Sequence, residues 1–314
     1  MEIEVYDFKG KETKIVPTYQ AANFNAELEQ FAQDNWETNH AGWTNSYVVS
    51  PRDFNFSQGN LAITADHMRY SQIAGMVKAI EESKLFAPQS IPGLSVGIYM
   101  VTSDNRLILP RRSKKLNHAP NFYNNFAGWM ASMNIASRAE CEDYSLTKDA
   151  RLYDPLSQAI KEAEEESTLS YDSEFQISKK PLSIVAGFAH SFSYLLNFLA
   201  KTNHTAEMVK TKILRDQEEF AAGLKEHDKV AALNLDHLYD LLMNQPELHQ
   251  EDPLTFEPTN DRELILIDDC VGSLVAHYED LTGKQRPANL IKDLRKKGIN
   301  INLMTTVDKI YSFR

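Results

Sequence analysis

Alternating apolar and polar positions predict β-strands in the first part of the chain. The pattern recurs in TNSYVVSPRDF, in GNLAITAD and in the N-terminal MEIEVYDFKGKETKIV, which predicts two strands joined by a turn at Gly10. The segment YSQIAGMVKAIEESKL has instead the spacing of an amphipathic helix. The chain up to residue 90 is therefore expected to mix strands and helices, and proline and glycine mark its end.

Further strands are predicted beyond that boundary. LSVGIYMVTSDNRLILPRRSKK predicts a β-hairpin that turns at SDN and whose second strand ends in Arg111 and Arg112. NNFAGWMASMNIAS predicts one more strand, which contains Gly128. The apolar, β-branched runs in FQISKKPLSIVAGFAHSFSYLLNFLAKTN predict two or three strands.

The last third of the chain mixes helix, linker and strand patterns. VAALNLDHLYDLLMNQP predicts a helix, and the proline- and acid-rich QPELHQEDPLTFEPTND predicts a linker. In the tail, RELILI predicts a short strand and DDCVGSLVAHYEDLTG a helix. These boundaries divide the chain into an N-terminal region (1–90), a central domain (91–245) and a C-terminal extension (246–314).

Composition narrows the class of protein. The chain has 314 residues, 42% of them hydrophobic, which is typical of a globular protein, and it lacks the long apolar run of a membrane span. Its two cysteines, Cys141 and Cys270, suggest a reducing, cytoplasmic setting. The net charge of -11 argues against duplex nucleic acid as a partner. A small anionic substrate fits if a metal ion or a local basic patch offsets the acid.

The segment DPLSQAIKEAEEESTL, residues 154 to 169, predicts one helix. Asp154 is a favourable N-cap, and Pro155 suits the first helical position. At helical spacing, four apolar side chains fall on one side and form a stripe: Leu156, Ala159, Ile160 and Ala163. The helix is therefore expected to pack against the core along this stripe.

Three carboxylates gather beside the stripe, on Glu162, Glu165 and Glu166. Like charges at this spacing cost about 0.2–0.5 kcal/mol per pair, and carboxylates late in a helix also oppose its dipole. Lys161 offsets only part of that cost. A divalent cation would reverse it, because clustered carboxylates are the hard oxygen ligands that Mg²⁺ takes. A solvated helix face is the alternative interpretation.

The end of this helix resembles the second half of the Nudix motif, R-E-U-x-E-E-x-G-U, where U is aliphatic. KEAEEESTL places Lys161 at the arginine, Glu162 at the first glutamate, and Glu165 and Glu166 at the paired glutamates. With the hairpin, the FAGWMA strand and the later segments, the resemblance covers residues 91 to 245. It implies an α/β sandwich of Nudix type with a mixed sheet, flanked by an N-terminal α/β region and a C-terminal extension.

The resemblance also implies an activity, which is hydrolysis of the diphosphate in a nucleoside diphosphate linked to another moiety. Mg²⁺ or Mn²⁺ would be held by Glu162, Glu165 and Glu166, and the last two would also act in catalysis. In some members of the family the general base lies before the last helix. Here that region holds RDQEEF, so Glu218 or Glu219 is a candidate base, with ordinary exposed charges as the alternative.

Substrate contacts are expected from Arg111 or Arg112, which end a strand near the diphosphate. At most one of them faces the site, because neighbouring strand residues point in opposite directions. Gly128, aligned with the opening glycine of the motif, is a third candidate. The implied partner is a small nucleotide derivative. Residues 1–90 are candidates for extending the sheet, covering the site or forming a homodimer.

The sequence departs from the motif at four places. Thr168 replaces a glycine, Lys161 cannot fork as arginine does, and the segment between Gly128 and Lys161 is longer than the motif has. Tyr153 stands where an early glutamate belongs, with three candidate substitutes: Glu140, Glu142 and Asp154. Two alternatives therefore stay open: a catalytically impaired Nudix-like nucleotide-binding or regulatory module, and an unrelated α/β protein with an acidic surface helix.

Overall fold

A computed structural model of the protein describes ten stretches of the chain: residues 2–7, 12–39, 45–57, 60–81, 93–114, 121–130, 153–187, 193–216, 226–245 and 264–304. Strands and helices alternate along them, which confirms the predicted α/β class. Within these stretches, each helix is too short or too polar to cross a membrane.

The described strands are β1 (Glu2–Asp7), β2 (Glu12–Ala21), β3 (Tyr47–Ser57), β4 (Asn60–Arg69), β5 (Gly93–Val101), β6 (Arg106–Arg112), β7 (Phe126–Trp129), β8 (Phe175–Ile177), β9 (Ser183–Gly187), β10 (Ser193–Thr202), β11 (His227–Asn234) and β12 (Asn300–Met304). The described α-helices are α1 (Ala26–Asn39), α2 (Tyr70–Glu81), α3 (Pro155–Ser167), α4 (Ala206–Asp216), α5 (Leu238–Met243), α6 (Asp268–Ala276), α7 (Tyr278–Thr282) and α8 (Leu290–Lys296). One turn of 3-10 helix, Leu235–His237, precedes α5.

In the described part of the chain, nine strands form one mixed sheet. Its main path runs β11-β6-β5-β10-β9-β1-β12, while β7 pairs with β5 and β8 with β10. The β5–β10 and β1–β12 pairs are parallel, and the other pairs are antiparallel. Strand β5 is buried from Gly93 to Met100, as expected for a central strand that is covered on both faces.

Two apolar layers cover the two faces of this sheet. One layer joins Val96 of β5 to Ala159 and Ala163, which belong to the predicted stripe of α3. The other layer lies under the C-terminal helices and includes Leu238 of α5 and Val271 of α6. The acidic helix α3 therefore packs on the face of the sheet opposite to these C-terminal helices.

The N-terminal region adds a second sheet on the same side as α3. In it β4 lies between β2, to which it is parallel, and β3, to which it is antiparallel. Leu61 and Ile63 of β4 share the core layer of α3, and the Val49 amide donates to the Met130 carbonyl at 2.9 Å. The division at residues 90 and 245 stays a prediction, and β1 pairs with both β9 and β12 inside the main sheet.

The two strands predicted in MEIEVYDFKGKETKIV are present as β1 and β2, which lie in the large and the small sheet. Two other predicted elements differ from the structure. The helix predicted over VAALNLDHLYDLLMNQP begins as strand β11, and α-helix starts only at Leu238. In RELILI, the described residues make an isolated bridge from Leu266 to Tyr123. Partners distant in sequence decide each case, and a local pattern does not show them. The predicted linker lies outside the described residues beyond Gln245.

Both ends of α3 are capped. Asp154 accepts from the Ser157 amide at 3.1 Å, as its N-cap prediction requires. At the other end Thr168 adopts the left-handed conformation, with φ 59°, and its N–H bonds to the Glu164 carbonyl. Lys212 donates to the Thr168 carbonyl at 3.4 Å. Thr168 thus occupies the left-handed position after the helix, where glycine is the usual residue.

A glycine at position 168 is expected to stabilise the protein relative to an alanine there by about 1 kcal/mol. Both substitutions remove the threonine side chain, but only alanine keeps a Cβ that disfavours the left-handed conformation. Urea unfolding of Thr168→Gly and Thr168→Ala measures the difference. Equal stability of the two variants would contradict a strained helix exit.

Candidate metal centre

The carboxylate of Glu166 is buried where α3 meets β7. Its side chain is only 4% exposed. Oε1 accepts from the Ala127 amide of β7 at 3.0 Å, and Oε2 lies 2.8 Å from Nε2 of His227. The edge of the Phe126 ring packs near the same imidazole. Because an unpaired buried carboxylate costs several kcal/mol, these two contacts are what allow Glu166 to face inward.

Glu162 lies one turn earlier in α3, against Gly128. A Cβ at position 128 would stand 2.1 Å from the Glu162 carboxyl carbon, so only a glycine leaves room for this approach. Gln158 donates to Oε1 of Glu162, whose side chain is 13% exposed. The structure thus explains the glycine by the carboxylate packed against it. The role of Gly128 in substrate binding stays a prediction.

Glu165 faces solvent, in contrast to its two neighbours. Its side chain is 58% exposed, and Oε2 lies 3.2 Å from Nζ of Lys161. The same Nζ lies 3.6 Å from Oε1 of Glu162. Two of the three glutamates predicted to hold a metal therefore meet under β7, and the third lies at the exposed rim.

The start of strand β11 and the residue before it supply two groups that the sequence analysis did not find, His227 and Glu226. Among the described residues, ligand atoms of Glu166, Glu226 and His227 lie within 4.8 Å of one another and form a group that can hold a metal ion. His227 is opposite Arg112 in the β6–β11 pairing. In the sequence these two residues come shortly before VAALN, a segment that was predicted as helix but forms strand β11.

The two arginines that end β6 point in different directions, as strand geometry predicts. Nε of Arg111 lies 2.7 Å from Oδ1 of Asp228, and this arginine is buried. Nη1 of Arg112 lies 3.7 Å from Oε1 of Glu226 and is thus beside the acidic group. Of the two predicted substrate contacts, Arg112 is therefore the one that lies beside the acidic group, and its role in binding stays a prediction.

Burial sets the protonation of the cluster. It raises the pKa of Glu162 to about 7, with a further contribution from Glu165 and Glu226 against an opposing one from Lys161. Burial likewise raises the pKa of Glu166 and of Glu226, and neighbouring glutamates add to both shifts. For His227 burial lowers the pKa to about 4. At neutral pH the imidazole is therefore neutral, as a metal ligand must be, while the carboxylates tend to hold protons.

Several predicted residues remain untested. Glu218 and Glu219, the candidate general bases, lie outside the described residues, as do Glu140 and Glu142. Tyr153 has the left-handed φ of 61° just before the helix, and the carboxylate of the residue after it is engaged in capping α3. A substitute for the missing early glutamate therefore stays a prediction.

Replacing Glu162 with glutamine should change how stability depends on pH in the presence of a chelator. The pKa of Glu162 is about 7 in the folded protein against 4.5 ordinarily, so the native wild type binds this proton more tightly. The stabilisation that this proton gives to the folded wild type is fully present below pH 4.5 and is lost as pH rises through 7. As pH rises between these limits, the free energy of unfolding of Glu162→Gln should therefore increase by about 3 kcal/mol relative to that of the wild type.

Urea unfolding at pH 5 and pH 8 measures this difference. Glu207→Gln, on the exposed face of α4, controls for the removal of a charge as such. A stability difference between Glu162→Gln and wild type that is the same at both pH values would show that Glu162 is not desolvated.

Comparison with known proteins gives likeness only at the level of structure. No family model matches the chain, and neither does any curated protein. DR0079 from Deinococcus radiodurans has 14% identity and a TM-score of 0.34, over 63% of this chain and 87% of its own. RenU, a Nudix hydrolase from M. smegmatis, has 10% identity and a TM-score of 0.28, over 47% and 73%. The MutT protein from Methanosarcina mazei Go1 has 10% identity and a TM-score of 0.28, over 47% and 80%. At such low TM-scores these likenesses carry no argument about activity.

Proposed function

We propose that this protein is a metal-dependent pyrophosphohydrolase of Nudix type, which hydrolyses the diphosphate of a nucleoside diphosphate linked to another moiety. The observation that carries the proposal is the convergence of Glu162 and Glu166 on β7 beside Glu226 and His227. In their ionised forms these buried carboxylates would repel one another, and a bound cation would offset that repulsion.

The donor set fits a divalent metal. Glu166, Glu226 and His227 offer two carboxylates and an imidazole within 4.8 Å, and Glu162 packs beside them. Carboxylates suit both Mg²⁺ and Mn²⁺, while the imidazole nitrogen favours Mn²⁺ as the transition metal of the two. When bound, such an ion polarises the P–O bond and acidifies a water molecule.

Residues of the chain itself would bind the phosphate and move the proton. Arg112, beside Glu226, would bind a non-bridging phosphate oxygen. Of the three glutamates predicted to hold the metal, Glu165 is the exposed one, so it is the one of them able to take a proton from a solvent water. Glu166, whose two oxygens contact Ala127 and His227, would hold its position rather than accept that proton.

Two residues that differ from the motif still make the contact or adopt the conformation expected at their positions. Lys161 stands in the arginine place and still pairs with Glu165 at 3.2 Å and with Glu162 at 3.6 Å. Thr168 stands in the glycine place and still adopts the left-handed conformation. Both observations favour an active centre over the catalytically impaired binding module, which remains the second candidate because Tyr153 replaces the early glutamate.

Mn²⁺ is expected to raise the melting temperature of the wild type, because a ligand bound only by the folded state stabilises it. At a free concentration a hundred times the Kd, the gain is about 2.7 kcal/mol, or a few degrees. Glu166→Gln should lose most of the shift, and Glu207→Gln should keep it. Differential scanning calorimetry with MnCl₂ and with MgCl₂ measures the effect. An unchanged melting temperature of the wild type with both ions would contradict the proposal of a metal-dependent enzyme.

Hydrolysis is expected with at least one member of a panel of dinucleotides, nucleotide sugars and ADP-ribose. Two phosphate monoesters should form, as followed by phosphorus NMR in the presence of Mn²⁺. Glu165→Gln should lower kcat by about a hundredfold or more if this carboxylate moves the proton. A protein that binds Mn²⁺ but hydrolyses none of the panel would favour the impaired binding module.

A further inference from the structure

The two oxygens of the Glu162 carboxylate have different surroundings. Oε1 accepts a hydrogen bond from the side-chain amide of Gln158, one helical turn earlier, and lies 3.6 Å from Nζ of Lys161. Oε2 lies closer than Oε1 to the place that a Cβ would take at position 128, at 2.1 Å against 2.5 Å. Among the described residues, none donates to Oε2. Protein donors therefore hold one oxygen of Glu162, and the other is available to a ligand.

Gln158 is a buried residue of the same helix, α3, and is only 2% exposed. Its Nε2 donates to Glu162, whereas its Oε1 is buried without a hydrogen-bond partner in the stretches that the structure describes. Burying an unpaired carbonyl oxygen costs free energy that an apolar side chain of the same size would avoid. Packing alone therefore does not explain a glutamine at this position, whose side-chain hydrogen bond goes to Glu162.

Gln158 is the better placed of the two donors to hold Glu162. Lys161 has 31% of its side chain exposed, and its Nζ also lies 3.2 Å from Oε2 of Glu165. Water and salt screen such an exposed ammonium group, but the buried amide of Gln158 is shielded from solvent. Gly128 confines the same carboxylate from the side of β7. The Glu162 side chain is thus restricted before any ion binds.

This restriction matters for a metal ligand. A flexible glutamate loses side-chain conformational entropy when it binds an ion, so a carboxylate that is already oriented binds more tightly. In metal sites, hydrogen bonds from neighbouring groups provide this orientation, and removing one of them weakens metal affinity by about ten- to hundredfold. The contact between Gln158 and Glu162 has the form of such a hydrogen bond.

We propose that Gln158 is a positioning residue of the metal centre, whose amide holds Oε1 of Glu162 so that Oε2 is presented to the cation. Gln158 would act through Glu162 and would touch neither the ion nor the substrate. It lies outside KEAEEESTL, the segment that resembles the Nudix motif. The inference rests on the proposed function, since it requires a cation beside Glu162.

Titration with Mn²⁺ tests the inference without turnover. Gln158→Met keeps the length of the side chain and removes its donor, so isothermal titration calorimetry with MnCl₂ should give an affinity about ten- to hundredfold weaker than that of the wild type. Gln33→Met is the matched control, because Gln33 donates to Glu37 at 3.0 Å with the same spacing on the exposed face of α1. This control should bind Mn²⁺ as the wild type does.

A double-mutant cycle with Glu162→Ala separates positioning from a general effect on the structure. Glu166, Glu226 and His227 remain as ligands in that background. Because Gln158 acts through Glu162, Gln158→Met should cause no further loss of Mn²⁺ affinity once the carboxylate is gone. A loss of the same size in both backgrounds would show that Gln158 acts on the site by another route, and would overturn the inference.

The outcomes separate the inference from the proposed function. If the wild type binds no Mn²⁺, the proposed function fails, and the inference that rests on it fails with it. If the wild type and Gln158→Met bind Mn²⁺ equally, the inference is overturned and the metal centre stands. Thermal unfolding with a chelator shows whether each variant is folded. If Gln158→Met is not, Gln158→Ala replaces it, and loss of the fold in both variants assigns Gln158 to stability and overturns the inference.

Discussion

The structure around the candidate metal centre depends on the burial of one carboxylate, that of Glu166. A charge placed in the interior costs several kcal/mol unless it is bonded, and here the Ala127 amide and His227 supply the bonds. These two contacts join three elements, since Glu166 belongs to α3, Ala127 to β7 and His227 to β11. With α3 so close to β7, Gly128 is the residue that leaves space for Glu162. One buried contact therefore dictates a neighbouring residue type as well.

The pairing of β6 with β11 distributes charge around that contact. A bulge between His227 and Lys229 shifts the register, and Asp228 lies within it. Asp228 pairs with Arg111, while His227 pairs with Glu166 and Arg112 lies beside Glu226. Each arginine thus has an acidic partner, and only Arg112 is next to the buried glutamates.

The sequence predicts those features of the structure that depend on residues close to one another in the chain. The N-cap at Asp154, the apolar stripe of α3, the hairpin of β5 and β6 and the turn of Glu162 and Glu166 toward the core edge all follow from local spacing. Glu226 and His227 were missed because the leucines and alanines after them favour a helix. Pairing with β6, more than a hundred residues earlier in the chain, makes that segment a strand.

The exposure of the glutamates distinguishes this helix from an ordinary acidic surface. A solvated face would leave all of them in water, yet Glu166 is 4% exposed and Glu162 is 13% exposed, against 58% for Glu165. Burial raises the pKa values of both side chains, so it favours their protonated forms when no metal is bound. A metal ion would take the place of those protons, so its binding releases them, and the imidazole of His227 is already in its neutral form. Under the proposed function, burial would therefore make the centre exchange protons for a cation, which a surface helix of the same sequence would not do.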